Sequence, residues 1–212
     1  MKPVALLLLS LLLAACSGGG DADTTSTLQP APLVSTTSSL APGEDTVPSE
    51  TTTSIPTGNS RFIIGSVVFG DRGSIEIGNL GPDAGDLTGY WLAIDPFYLE
   101  LPSTVLAPGT ALIVSLDPEA DPTVVFPAAG LLPPMKSGSG EIGLYRNGDF
   151  RNPDSIVDYV QWGATEHVRT GVAVAAGLWP EGETIDMGGT ATGLTVGDRE
   201  DPGPSGWAPT GG

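Results

Sequence analysis

The chain has 212 residues, a formal net charge of −17, 30 Gly, 20 Pro and a single cysteine. One cysteine excludes an intramolecular disulfide and any cysteine-based metal cluster, so a folded domain has to stand on its apolar core. The charge excludes nucleic acid as a partner. Of the eight Lys and Arg, Lys2 is one, and the seven from Arg61 onward stand singly among more numerous acids, whereas a phosphate backbone is held by clustered basic residues.

At the N-terminus Lys2 precedes an apolar run from Val4 to Leu13, interrupted only by Ser10. The run is shorter than the roughly 20 residues that span a hydrocarbon core. A basic start, a short apolar stretch and small residues at its end describe a secretory signal peptide, residues 1–15. Leu13-Ala14-Ala15-Cys16 resembles a bacterial lipobox. The resemblance implies cleavage before Cys16, diacylglycerol on its sulfur and acylation of the freed amine. Two or three acyl chains hold a protein stably on a bilayer where one does not. The expectation is a lipoprotein outside the cytoplasm, at the cell surface or the periplasmic face, with the membrane as its first partner.

Residues 16–60 carry Ser17-Gly18-Gly19-Gly20 and then abundant Thr, Ser and Pro, without an aromatic residue and without apolar periodicity. Such a segment buries too little surface to offset its ordering entropy, which predicts a disordered tether. About 44 residues at ~5–6 Å × √n give a mean reach of roughly 35–40 Å.

Residues 61–212 read as one domain. Phe62–Phe69 (FIIGSVVF) is β-rich, and Ile75 and Ile77 alternate with Glu76 in the next strand. After a turn-forming loop, Tyr90–Asp95 places Tyr90, Leu92 and Ile94 on one face and Trp91 and Ala93 on the other. Phe97, Leu99 and Leu101 then alternate with Tyr98 and Glu100. Ala107-Pro108-Gly109-Thr110 fits a type II turn ahead of the apolar strand Ala111–Leu116. A proline-broken excursion, 117–134, leads to the strand Gly140–Arg146. Asn147-Gly148 signals a tight turn, although Phe150–Asp154 lengthens the connection, and Ser155–Trp162 pairs with the strand before it. Between 168 and 176, Val168, Val172, Ala175 and Ala176 predict one short helix ending at Gly177. The tail shows Leu178-Trp179-Pro180 and a last short apolar patch at Trp207-Ala208. Short strands separated by Gly, Pro, Asn and Asp predict an all-β sandwich.

The segment from Ser74 to Leu92, then Leu101-Pro102, then Leu106-Ala107-Pro108-Gly109 leading into Leu112-Ile113-Val114, resembles the lamin-tail domain. Ser137–Leu144 (SGSGEIGL), Ile156-Val157-Asp158-Tyr159-Val160 and Trp162-Gly163 extend the resemblance over roughly 61–163. It implies an immunoglobulin-like β-sandwich. Tyr90 stands where that family places a Trp after the glycine, and Trp91 follows as an extra aromatic. Bacterial members often accompany hydrolase domains, none of which is read in this sequence.

Catalytic signals are sparse. His167 is the only histidine, and no GxSxG serine elbow accompanies it, so the nucleophile–base–orienter set of covalent catalysis is not assembled. A hard cation takes several loop oxygens. Calcium therefore has candidate ligands in Asp198, Glu200 and Asp201, and again in Asp117, Glu119 and Asp121. Trp91 and Tyr98, sharing one strand face with Glu100 as acceptor, are the candidate stacking surface for sugars of the envelope. The expectation is a non-catalytic module for protein interaction or envelope scaffolding. The rivals are a carbohydrate-binding module, with envelope polysaccharide as partner, and a hydrolase using loop carboxylates. Replacing Cys16 by Ser is expected to move the protein from the membrane pellet to the soluble wash, and a variant still membrane-bound after detergent-free washing would contradict the lipid anchor.

Overall fold

The computed structural model describes residues 58–198, 200 and 203–211. The signal segment, Cys16 and most of the expected tether lie outside them. In chain order the elements are β1 (Phe62–Val68), β2 (Ser74–Asn79), β3 (Gly85–Asp86), β4 (Trp91–Ile94), β5 (Phe97–Glu100), β6 (Val105–Leu106) and β7 (Ala111–Ser115). They continue with β8 (Phe126–Pro127), β9 (Gly140–Tyr145), β10 (Ile156–Trp162), the helix α1 (Thr170–Ala175), β11 (Gly193–Val196) and β12 (Trp207–Thr210). Six strands form one sheet in the order β12-β11-β1-β2-β7-β8, four form a second in the order β10-β9-β4-β5, and β3 pairs with β6. The fold is the expected all-β sandwich.

Alternation builds the core. Leu194, Val67, Ile75 and Val114 stand side by side across β11, β1, β2 and β7, with Ile64, Ile77 and Leu112 in the neighbouring row. The second sheet answers with Leu99, Leu92 and Leu144 in one row and Ile142 beside Val160. Ile64, Val67, Ile75, Ile77, Leu92, Ile142, Leu144 and Val160 are wholly buried, each stabilising the fold by roughly 1.5–3 kcal/mol. A polar bond also joins the sheets. β1 shifts register between Ile64 and Ser66, and β10 between Ile156 and Asp158. At these bulges the Ile64 amide donates to Asp158 Oδ2 over 2.6 Å, a charge-assisted contact between strands of different sheets.

Several expectations need correction. The tail supplies two strands, not a patch: β11 pairs with β1, and β12 with β11. The β9–β10 connection is the lengthened one expected after Asn147-Gly148. The Asn147 side chain accepts the Asp149 amide, and the connection closes only where Arg146 N donates to Ser155 O. The helix forms, but Ala173 is its fully buried apolar residue, while Val168 precedes it and is exposed. It ends as expected at Gly177 (φ 72°), where Leu178 N donates to Ala173 O and Gly177 N to Val174 O, a Schellman closure. The Ala107–Thr110 turn also forms, with Gly109 at φ 72° and Thr110 N donating to Ala107 O.

Asn79, at the end of β2, ties the loop that leads to β4. Its Oδ1 accepts the amides of Arg61 (3.1 Å) and Gly81 (2.9 Å). Its Nδ2 donates to the carbonyls of Asp83 (2.8 Å) and Leu106 (2.9 Å). The side chain is wholly buried and uses its full capacity of two donors and two acceptor lone pairs. Asn79→Leu keeps the branched heavy-atom skeleton, is somewhat bulkier, and orphans all four partners. It is expected to destabilise the domain by about 3 kcal/mol, read as a lowered urea midpoint, and a shift below about 1 kcal/mol would contradict this role.

Candidate functional site

The outward face of the four-stranded sheet carries the candidate residues. Strand register places Tyr159 and Gln161 of β10, Glu141 and Tyr145 of β9, Trp91 of β4, and Tyr98 and Glu100 of β5 on that face. Trp91, Tyr98 and Glu100 are therefore brought together as expected. They do not form a bare platform. Phe150, from the β9–β10 connection, stacks on Tyr98 (centroids 4.3 Å, interplanar 28°) and meets Trp91 and Tyr145 edge-on. The Arg169 guanidinium lies over Tyr98 at 5.4 Å and over Phe150 at 5.8 Å, and it donates to the Tyr98 hydroxyl. Trp91 is half-buried as a result, while Tyr98 remains 40% exposed. Cation–π attraction and ring packing hold this patch together.

The other half of the face is closed by residues 163–187, a strap that includes α1. It leaves β10 at Gly163, whose φ is 77° and where a Cβ would stand 1.9 Å from Gly138 O, so only glycine fits the turn. The strap returns alongside β10, with Gly163 N donating to Ile185 O and Ile185 N to Gln161 O. Trp179 meets Tyr159 edge-on at 5.6 Å and donates its Nε1 proton to Glu183 O.

Beneath the strap lies a buried polar cluster. Glu141 is 3% exposed. Its carboxyl accepts the Arg169 amide (2.9 Å to Oε2) and contacts the Tyr159 hydroxyl at 2.8 Å. Tyr159 Oη also stands 2.7 Å from Gln161 Oε1, to which Thr170 Oγ1 donates at 2.5 Å. Thr170 Oγ1 in turn accepts the His167 amide. Burial is the leading cause that raises the Glu141 pKa above the ordinary glutamate range, offset in part by the Tyr159 and Arg169 bonds. Burial likewise pushes Tyr145 up to about 12, and its hydroxyl has no hydrogen-bond partner. Tyr159 is raised too, first by burial and then by the nearby Glu141 charge.

An open groove of about 700 Å³ runs along the edge of this cluster, at the β4–β5 turn. Phe97 and Val168 line it as exposed apolar residues, 41% and 56% exposed. Pro96, Pro133, Pro134 and Met135 supply apolar wall, and Asp95, Lys136, Glu166 and His167 supply charge or polarity. His167 Nε2 lies 3.4 Å from Trp162 O. Glu141 reaches the groove from below with its oxygens already engaged.

The proposed cation ligands lie elsewhere. Asp198 and Glu200 line a smaller cleft of about 400 Å³ with Arg61, Asp158 and Trp207. Asp198 Oδ1 accepts the Glu200 amide, and Asp201 lies outside the described residues. Asp117 and Glu119 are bridged by Arg72, and Asp121 turns to cap Thr123. Among the described residues, no three His, Cys, Asp or Glu side chains gather as a metal site. No helix of the described residues is long and apolar enough to cross a membrane. No family model, curated protein or solved structure matches the chain.

Sequence reasoning missed Glu141, Gln161, Phe150, Arg169 and Thr170. Glu141 and Gln161 alternate with core residues, the pattern of a solvent face, and nothing local announces the strap that covers them. Phe150→Ala is expected to destabilise by about 2 kcal/mol, less than a fully buried Phe would, and to red-shift tryptophan emission as Trp91 is uncovered. Unchanged emission would contradict the packing described for Trp91.

Proposed function

We propose that the protein is a lipid-anchored, non-catalytic interaction module outside the cytoplasm. Acyl chains on Cys16 hold it to a membrane, the Ser/Thr/Pro-rich segment spaces it from the surface, and a lamin-tail-like sandwich presents the groove at the β4–β5 turn to a protein partner. The observation that carries the binding face is the pair of exposed apolar residues, Phe97 and Val168, that line one groove from two different segments of the chain. Large apolar side chains lining a concavity are the usual mark of an interaction site.

The edge of β5 supports an extended partner. Leu101 N donates to Tyr90 O, which by antiparallel alternation turns the amides of Leu99 and Phe97 toward β4 and those of Tyr98 and Glu100 outward. β5 ends its sheet, and no strand of the described residues pairs with its outer side. A partner strand added there would lay an alternate side chain into the groove. The carbohydrate reading has less support, because Phe150 and Arg169 already engage the Tyr98 ring. The hydrolase reading also has less support, because Glu141, the buried acid of the groove, has its oxygens bonded within the fold.

The test is capture from native envelope extracts with wild-type protein and a Phe97→Glu, Val168→Glu double variant. Both positions are exposed, so the variant is expected to keep its melting temperature and to lose at least tenfold of a discrete captured protein. Equal capture by a folded variant would overturn the groove as the binding face.

A further inference from the structure

The oxygen cluster beneath the strap has a proton shortage that its geometry resolves in one way. Gln161 Nε2 donates to Glu183 O at 2.7 Å and lies 3.3 Å from Thr165 O, so the amide orientation is fixed and Oε1 faces the cluster. Three short oxygen–oxygen contacts then need three protons: Glu141 with Tyr159, Tyr159 with Gln161, and Thr170 with Gln161. A hydroxyl carries one proton and an amide oxygen none. Tyr159 and Thr170 supply two. If Tyr159 gives its proton to Glu141, its oxygen faces Gln161 Oε1 at 2.7 Å with no hydrogen between them.

We infer that Glu141 is a neutral carboxylic acid in the folded protein and that its proton locks the strap against the sheet. The acid donates from Oε2 to Tyr159, Tyr159 donates to Gln161, and Thr170 donates to Gln161, while Glu141 Oε1, 3.2 Å from the Arg169 amide, stays an acceptor for it. Losing the proton turns Tyr159 toward the carboxylate and sets two lone pairs against each other. Gln161 is pushed off, and with it the hold on the carbonyls of Thr165 and Glu183, on either side of α1. His167 and Val168, the strap's wall of the groove, ride on that segment. The device therefore regulates the groove and rests, for its functional meaning, on the groove being the binding face.

Of the charged and titratable groups around Glu141, His167 and Arg169 favour its carboxylate, and burial outweighs them. Tyr159 faces it from β10, Tyr145 shares its strand, His167 and Arg169 approach from the strap, and Tyr98 stands behind Arg169 on β5. Asp95, Lys136 and Glu166 line the groove alongside it. The Arg169 guanidinium is directed to Tyr98, and it is the Arg169 backbone that bonds the carboxyl. A group whose folded pKa is raised contributes stability that is complete below its unfolded value and is lost as pH rises through the folded one. The raised direction at Glu141 thus predicts a domain that loosens toward alkaline pH.

The test is denaturation of the full chain from acidic to alkaline pH, for wild type and Glu141→Gln. Glutamine offers Tyr159 a donor and keeps one oxygen acceptor, on which the Arg169 amide, shared between both Glu141 oxygens in the wild type, then rests alone. The variant is expected to match wild type at acidic pH and to lose the wild-type slope, a fall of about tenfold in folding constant per pH unit between the unfolded glutamate pKa and the raised folded one. The Trp179 indole proton resonance is expected to shift with pH in wild type only. A variant that is unfolded or destabilised at acidic pH, or that keeps the wild-type slope, would overturn the inference. So would a carboxylate carbon shift for Glu141 in labelled wild type at about pH 5, where an ordinary glutamate is largely ionised. None of these readouts involves a partner, so failure of the groove to capture protein leaves this test standing and counts against the binding reading alone.

Discussion

A buried glutamate with too few hydroxyl protons around it is the constraint on which the site depends. Glu141 stands where strand alternation points a side chain away from the core, and a solvated carboxylate there would be unremarkable. Covering it is expensive unless every oxygen finds a partner. The strap supplies those partners through the Arg169 amide and Thr170, and the sheet supplies Tyr159 and Gln161. The polar cluster thereby specifies where the strap lies. The position of the strap in turn sets one wall of the groove and brings Arg169 over Tyr98 and Phe150.

The two halves of the sandwich are built on different physics. Between the sheets, rows of Ile, Leu and Val meet across register-matched strands, and the stabilisation follows buried apolar area. Outside the second sheet, stabilisation rests on bonds that must all be made together, with aromatic packing at one side and amide and hydroxyl bonds at the other. Satisfied polar networks impose a unique arrangement, and partly satisfied ones are costly. The first half sets whether the domain folds; the second sets what its outer face presents.

The same division decides what could be read from the sequence. Ile75-Glu76-Ile77, the opposed faces of Trp91–Ile94 and the alternation after Phe97 were legible, because a strand's own period reports its burial. The Pro108-Gly109 turn was legible because its chemistry is local. β11 was not, since Leu194-Thr195-Val196 alternates only briefly between Gly193 and Gly197 and the strand is specified by β1, where Val67 pairs with Leu194. Glu141 and Gln161 were misleading by the same rule that succeeded elsewhere: polar residues at alternate positions read as solvent-facing. What buries them arrives from far along the chain, 28 residues away for Arg169 with Glu141 and 71 for Arg169 with Tyr98. Of the site proposed from sequence, the shared face of Trp91, Tyr98 and Glu100 holds, and the openness of that face does not.

The proposed binding surface of the sandwich is the groove at the β4–β5 turn. Site-specific photo-crosslinking in intact cells measures this most directly, with the photoreactive residue placed at Phe97 in the groove lining or at Val105, an exposed position on β6. A discrete protein adduct is expected from position 97 and none from position 105. Adducts of equal yield from both positions, or from 105 alone, would contradict it.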